Sequence, residues 1–212
     1  MAVSDPATAS NVSEVVCADW SLTATVELTA KQLWGVLTMN LAPRKADALP
    51  SRIVLDVHQL RVAAVHCANS GAALAFKVEP FAAFGSALVI DTPASTGFWA
   101  AGKPAIRVYY VAGEGAAFCW LDPVQTAGKV HPFLFTQGQA CLNRTFFPCQ
   151  DSPGARSAWS ATILIRKPYS VVMSAPMENA VEGTTAAGLA VSDELVASMY
   201  PPAGTPGGGS AP

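Results

Sequence analysis

Two glutamines separated by one glycine, Gln137-Gly138-Gln139, are the residues whose types and spacing come closest to a chemical device. On an extended segment, residues two apart project to the same side. Two side-chain amide oxygens presented together can accept from an ammonium group, and the glycine between them lets another backbone approach closely. The same spacing also suits ordinary exposed polar residues beside a strand, and spacing alone favours that plainer description. Further along, Asn143, Arg144 and Asp151 stand among apolar neighbours. An isolated charge in such surroundings must find a partner, so Arg144 with Asp151 reads as a buried pair that fixes a loop rather than as catalytic machinery.

Other reactive patterns are missing. None of the three histidines, His58, His66 and His131, is followed by Glu, so the helical H-E-x-x-H zinc site is absent. His66 and Cys67 are adjacent and would face opposite sides of a strand, His58 reads as a strand histidine on the wet face, and His131 before Pro132 reads as a turn residue. There is no G-x-S-x-G, no P-loop and no dinucleotide fingerprint. Catalytic and metal-binding residues are therefore expected to be absent. Cys17, Cys67, Cys119, Cys141 and Cys149 form no C-x-x-C and read as buried reduced thiols. The N-terminus has neither a basic start nor an apolar core, so no signal peptide is expected and the cytosol is the default compartment. Asn11-Val12-Ser13 and Asn143-Arg144-Thr145 match the glycosylation acceptor but carry little weight without secretion.

Strands must position these residues, because the dominant period is two. Trp20, Leu22, Ala24, Val26 and Leu28 alternate with Ser21, Thr23, Thr25 and Glu27. Leu37, Met39 and Leu41 alternate with Thr38 and Asn40, which predicts an antiparallel hairpin with the first run. A third strand is predicted from Ile53, Leu55 and Val57, continuing through Leu60, Val62 and Ala64 after a bulge. Further strands are expected at 74–78, 87–90, 106–111, 118–121 and 159–166, with a short one at 171–173. Proline and glycine punctuate these runs, as in a sandwich or a curved open sheet. Helical periodicity is convincing only at 192–199, and residues 201–212 are a low-complexity tail.

Composition sets outer limits. The chain has 212 residues, 51% of them apolar and 13% charged, with a net charge of −2. That excludes disorder over most of its length. The charged share is well below the ~25% of an average soluble chain, which suggests surface meant to be covered. Scattered basic residues and a negative balance argue against a nucleic-acid partner. No apolar run reaches the about 18 residues of a membrane span.

One long segment carries a family resemblance. It runs Trp120-Leu121-Asp122-Pro123, Gln125-Thr126, Gly128-Lys129, His131-Pro132-Phe133, Phe135-Thr136-Gln137-Gly138-Gln139-Ala140, Phe147-Pro148-Cys149, Asp151 and Pro153. With Asp5-Pro6, Ser10-Asn11, Ile53-Val54-Leu55-Asp56, Leu60 and Val172-Met173-Ser174-Ala175, it resembles the N-terminal domain of zinc aminopeptidases of peptidase family M1 over about residues 5–175. The branch resembled is that of leukotriene A(4) hydrolase and aminopeptidase B, without a choice between them.

The resemblance implies an all-β, saddle-shaped, mostly antiparallel domain over residues 1–175. Residues 176–212 are expected to form a non-family tail, disordered or short-helical. It implies that Gln137, Gly138 and Gln139 form the substrate-binding loop, with Gln139 accepting from the free α-amino group of a peptide. It also implies two partners, a peptide N-terminus and the family's zinc catalytic domain. The zinc ligands and general base of the family lie in that second domain, so no cofactor and no peptidase activity are expected from these residues alone. Pro176-Met177-Glu178-Asn179 is only superficially similar to the family's exopeptidase motif, since it follows the β-domain directly and has no preceding glycine. The chain thus reads as a truncated aminopeptidase polypeptide. The alternatives are a stand-alone, non-catalytic peptide- or protein-binding module, or a remnant without function.

Overall fold

A computed structural model describes residues 5–93, 97–100 and 102–180. Among them there is no α-helix; ten strands and a few 3-10 turns make up the regular structure. The strands are β1 (Val15–Glu27), β2 (Gln32–Pro43), β3 (Arg52–Val57), β4 (Leu60–Cys67), β5 (Phe76–Pro80), β6 (Ser86–Asp91), β7 (Ala105–Ala112), β8 (Phe118–Leu121), β9 (Phe133–Thr136) and β10 (Ala158–Leu164). A five-stranded sheet has the order β10-β1-β2-β7-β4, a three-stranded sheet the order β3-β6-β5, and β8 and β9 pair alone. All pairings are antiparallel except that of β10 with β1. The expected all-β, mostly antiparallel architecture is what the chain adopts. The expected helix at 192–199 lies outside the described residues.

The period-two pattern becomes rows of side chains across the large sheet. Ala161, Leu22, Leu37, Val108 and Val65 lie in one register row from β10 to β4. The next row is Trp159, Trp20, Met39, Ile106 and Cys67. All of these except Trp159 meet Ile53, Leu55, Leu88 and Ile90 of the small sheet in one continuous apolar cluster. Removing that area from water is the main driving force for the sandwich. All five cysteines are free; Cys17, Cys67 and Cys149 are buried while Cys119 and Cys141 are half-buried. Burial pushes the Cys17 thiol up to about 11, so it stays protonated near neutral pH.

The third expected strand is two strands. Gln59 adopts φ 58, a left-handed conformation that breaks the extended chain. β3 therefore joins the small sheet and β4 the large one. No strand forms at 171–173, where Val172 stands 93% exposed. Conversely, β9 was not signalled, because Phe133-Leu134-Phe135 is apolar on both faces and shows no alternation.

A third row places Gly35 between Ala24 and Tyr110. A Cβ at Gly35 would lie 2.6–2.9 Å from Tyr110 ring and hydroxyl atoms, so the glycine supplies the slot that the ring fills. The Tyr110 hydroxyl is fully buried with no hydrogen-bond partner among the described residues, and burial drives its pKa well above the ordinary tyrosine value. Gly35→Ala is expected to cost about 1–3 kcal/mol by overpacking, and Tyr110→Leu in the same chain should recover part of it. Tyr110→Phe alone should leave the thermal midpoint unchanged or raise it, since it removes an unsatisfied buried group. Unfolding curves of the four proteins check both.

Candidate functional site

The site is assembled from the β8–β9 hairpin and the irregular chain that follows it. Phe118 and Trp120 of β8 point into the core, with their rings edge-on at 5.3 Å. They hold the hairpin to the sandwich. β9 ends at Thr136, and the Gln137 N–H donates to the Ala117 carbonyl at 3.0 Å. The loop then turns, with the Leu142 N–H donating to the Gly138 carbonyl at 3.0 Å, and enters a 3-10 turn at Asn143–Thr145. The Thr145 hydroxyl ties that turn back to the hairpin, accepting from the Ala117 N–H at 2.8 Å.

Gln137 and Gln139 are both exposed, and Gly138 between them is half-buried. Their amides are not a parallel pair. Gln137 Oε1 accepts from the Gln139 main-chain N–H at 2.9 Å, so that oxygen is engaged within the loop. The Gln139 side chain makes no hydrogen bond among the described residues and faces solvent. A Cβ at Gly138 would meet the end of the Asn143 side-chain amide, which would have to swing aside. The Gln139–Ala140 peptide is cis.

Beneath the loop lies a buried charge cluster. Arg144 is 2% exposed, Asp151 7% and Asp56 0%. Arg144 Nε donates to Asp151 Oδ2 at 2.9 Å, Nη2 to the Asp151 carbonyl at 3.1 Å, and Nη1 to the Phe84 carbonyl at 3.0 Å. Asp56 Oδ1 stands 3.7 Å from Nη1. Asp56 also accepts from the N–H groups of Ala9 at 2.7 Å and Asp151 at 3.0 Å, and from the Thr8 hydroxyl. Arg144 with Asp151 is the structural pair expected from sequence. Asp56 is the missed third member, although one carboxylate inside Ile53-Val54-Leu55-Asp56-Val57 was itself a signal that a partner had to exist.

Side-chain amides complete the frame. Gln150 Nε2 donates to the Val15 carbonyl at 3.0 Å and its Oε1 accepts from the Cys17 N–H at 3.1 Å, where β1 bulges. Asn11 treats β3 alike, accepting from the Val54 N–H at 2.8 Å and donating to the Arg52 carbonyl at 3.0 Å. The Asn11 amide is therefore structural. The Ser152 hydroxyl, 2.5 Å from Asp5, holds that carboxyl below the usual carboxylate range and ties the N-terminal segment to the same loop.

The histidines are dispersed. His66 sits edge-on to Tyr109 and His131 edge-on to Tyr169, while His58 packs near Gly85. Among the described residues no three His, Cys, Asp or Glu side chains are grouped to hold a metal, so these residues do not fit zinc. An open cavity of about 420 Å³ is lined by Trp20, Asn143, Phe147, Gln150 and Arg156, and another of about 540 Å³ by Leu121, Val130, His131 and Phe133. Neither has Gln137 or Gln139 in its wall, so the amide loop lies outside both.

Two outcomes follow from this geometry. Asp56→Ala removes one of the two carboxylates facing Arg144 and leaves the N–H groups of Ala9 and Asp151 without their acceptor, and should cost about 2–4 kcal/mol in urea unfolding. Gly138→Ala should push the Asn143 side-chain amide aside at a cost of about 1 kcal/mol, which Asn143→Ala in the same chain restores.

Comparison with known proteins agrees with this architecture. The model of the peptidase M1 N-terminal domain matches residues 16–186. Aminopeptidase B of Mus musculus is 45% identical over 100 residues, 47% of this chain and 15% of that protein. Leucine aminopeptidase 2 of Phaeosphaeria nodorum is 34% identical over 177 residues, 80% of this chain and 26% of that protein. The solved structure of yeast LTA4 hydrolase in complex with bestatin superposes with a TM-score of 0.67 at 26% identity, over 79% of this chain and 25% of that one. The chain thus spans between 14% and 28% of the length of such curated relatives. On the match across residues 16–186 and the shared strand framework, the chain belongs to the peptidase M1 N-terminal domain family.

Proposed function

We propose that this chain is the substrate-recognition part of a zinc aminopeptidase of the leukotriene A(4) hydrolase and aminopeptidase B type, and that Gln139 accepts from the free α-ammonium group of a peptide. The observation that carries the proposal is the exposed Gln139 side-chain amide, without a partner among the described residues, on a loop anchored by buried groups. An amide oxygen suits –NH3+, and a hydrogen bond to a charged group contributes about 1.5–3 kcal/mol. Holding the amine fixes how far the peptide can advance, so only its first peptide bond reaches the reacting centre. Such an enzyme's zinc supplies water activation, and its ligands would come from polypeptide beyond these described residues.

A second partner is then the zinc-binding domain. Phe133 and Phe135 are 56% and 39% exposed with ring centroids 6.1 Å apart, an apolar face beside the amide loop that suits burial against it. Five free cysteines suit a reducing cytosolic compartment. The stand-alone peptide-binding module is the competing reading, favoured by a loop that is fully braced within this chain.

In the complete enzyme, Gln139→Ala should lower kcat/KM on aminoacyl amides by about ten- to a hundredfold, in line with a charged hydrogen bond. Unchanged kinetics would remove the assignment. The 212-residue chain with added zinc should not hydrolyse alanyl or arginyl amides, and chelator-sensitive turnover would overturn its restriction to recognition.

A further inference from the structure

The large sheet has two faces, and its inner one meets the small sheet in the core. On the outer face, Val36, Tyr109 and Ala64 share one register row, and Trp34, Val111 and Arg61 share the next. The apolar members form a second cluster, separate from the core. In it Tyr109 is 3% and Val111 5% exposed, while Trp34, Val36, Ala63 and Ala64 are half-buried. Every residue of that cluster belongs to β2, β4 or β7, so among the described residues no second layer adds apolar side chains to it. On β1 the same face is an ordinary wet one, with Ser21, Thr23 and Thr25. Cations frame the apolar half. Arg61 lies at one end and is exposed. At the other end Arg107 and His66 share a row, and the His66 ring stands edge-on to Tyr109 at 5.4 Å. No Asp or Glu occupies any of these three rows.

An apolar strip framed by positive charge is complemented by an acidic, amphipathic cover, and this chain contains one. Beyond residue 175 it carries four acids, Glu178, Glu182, Asp193 and Glu194, and no Lys, Arg or His. Leu195, Val196 and Met199 recur at helical spacing directly after Asp193 and Glu194. Size and reach agree. A helix over residues 192–199 would be about 12 Å long, and the strip from the Arg107 row to the Arg61 row is about 14 Å. Residues 181–191 can extend over about 36–40 Å, whereas five paired strands are about 20 Å across. We propose that residues 192–199 seat on the Trp34–Tyr109–Val111 face of the same chain, with Asp193 and Glu194 toward Arg61, the exposed cation of the strip. A second copy of this face is a poorer cover, since it brings arginines near arginines and supplies no acid. The segment then caps the outer side of the large sheet, whatever the amide loop binds.

The test uses the full chain with 13C-labelled Leu, Val and Met methyl groups. Nuclear Overhauser cross-peaks should link Leu195, Val196 and Met199 to the Trp34 ring and to Val36, and their absence overturns the proposal. A sample mixing labelled and unlabelled copies separates contacts within one chain from contacts between two. Cross-peaks found only between copies overturn it in favour of an intermolecular cover. Asp193→Lys with Glu194→Lys should weaken the cross-peaks at least threefold. The cross-peak between Leu37 and Val108 should stay as it was, because both substitutions lie outside the sandwich. Adding Arg61→Glu, at an exposed position of β4, should restore most of the loss by exchanging the charges. Unaltered cross-peaks in the lysine variant, or no recovery on charge exchange, overturn the contact with Arg61.

Discussion

A guanidinium taken out of water must be surrounded by acceptors, and meeting that demand at Arg144 organises the functional end of this molecule. Two carboxylates and two carbonyls answer it, and they come from distant parts of the chain: Asp56 on β3, Phe84 ahead of β6, and Asp151 after the 3-10 turn. The Asp56 carboxylate in turn gathers Thr8 and Ala9 from the N-terminal segment. Burying charges carries a large desolvation cost, so such a cluster contributes less to net stability than to uniqueness. Here the uniqueness concerns a loop. Asn143, beside Arg144 in sequence, backs Gly138, and Thr145, on the other side, anchors the hairpin.

The rest of the sandwich supplies rigidity to that corner. The apolar rows of the large sheet meet the small sheet in one cluster, and β8 enters it through Phe118 and Trp120. The hairpin therefore projects from a packed base, while β9 leaves Phe133 and Phe135 outside. Aromatic contacts extend the base sideways: Trp159 stacks on Trp20 at 5.4 Å, Trp20 meets Phe147 at 5.0 Å, and Phe146 stacks on Phe118 at 5.3 Å. The loop is thus exposed at its tip and rigid at its root, an arrangement common to recognition loops.

Much of this was legible in the order of residues, for definite reasons. Strands with one wet face write their alternation into the sequence, which is why β1 and β2 were readable. Elements whose two faces are both apolar, such as β9, or whose break depends on one left-handed residue, such as Gln59, leave no periodic trace. The pair of Arg144 and Asp151 was readable because both lie in one apolar stretch, whereas Asp56 is remote in sequence and only folding brings it near. The glutamines were readable as residue types. That one would turn its oxygen onto the other's backbone was not, since i to i+2 spacing specifies a shared side and not an internal bond.

The parallel pairing of β10 with β1 has a consequence for how the molecule is made. β1 begins at Val15 and β10 ends at Leu164, so the outer position of the large sheet stays vacant until nearly the whole described chain has been synthesised. Closing so long a loop is entropically costly and slows acquisition of the native topology. Until then the growing polypeptide carries an open sheet margin at its oldest strand. That margin is covered only when the last strand arrives.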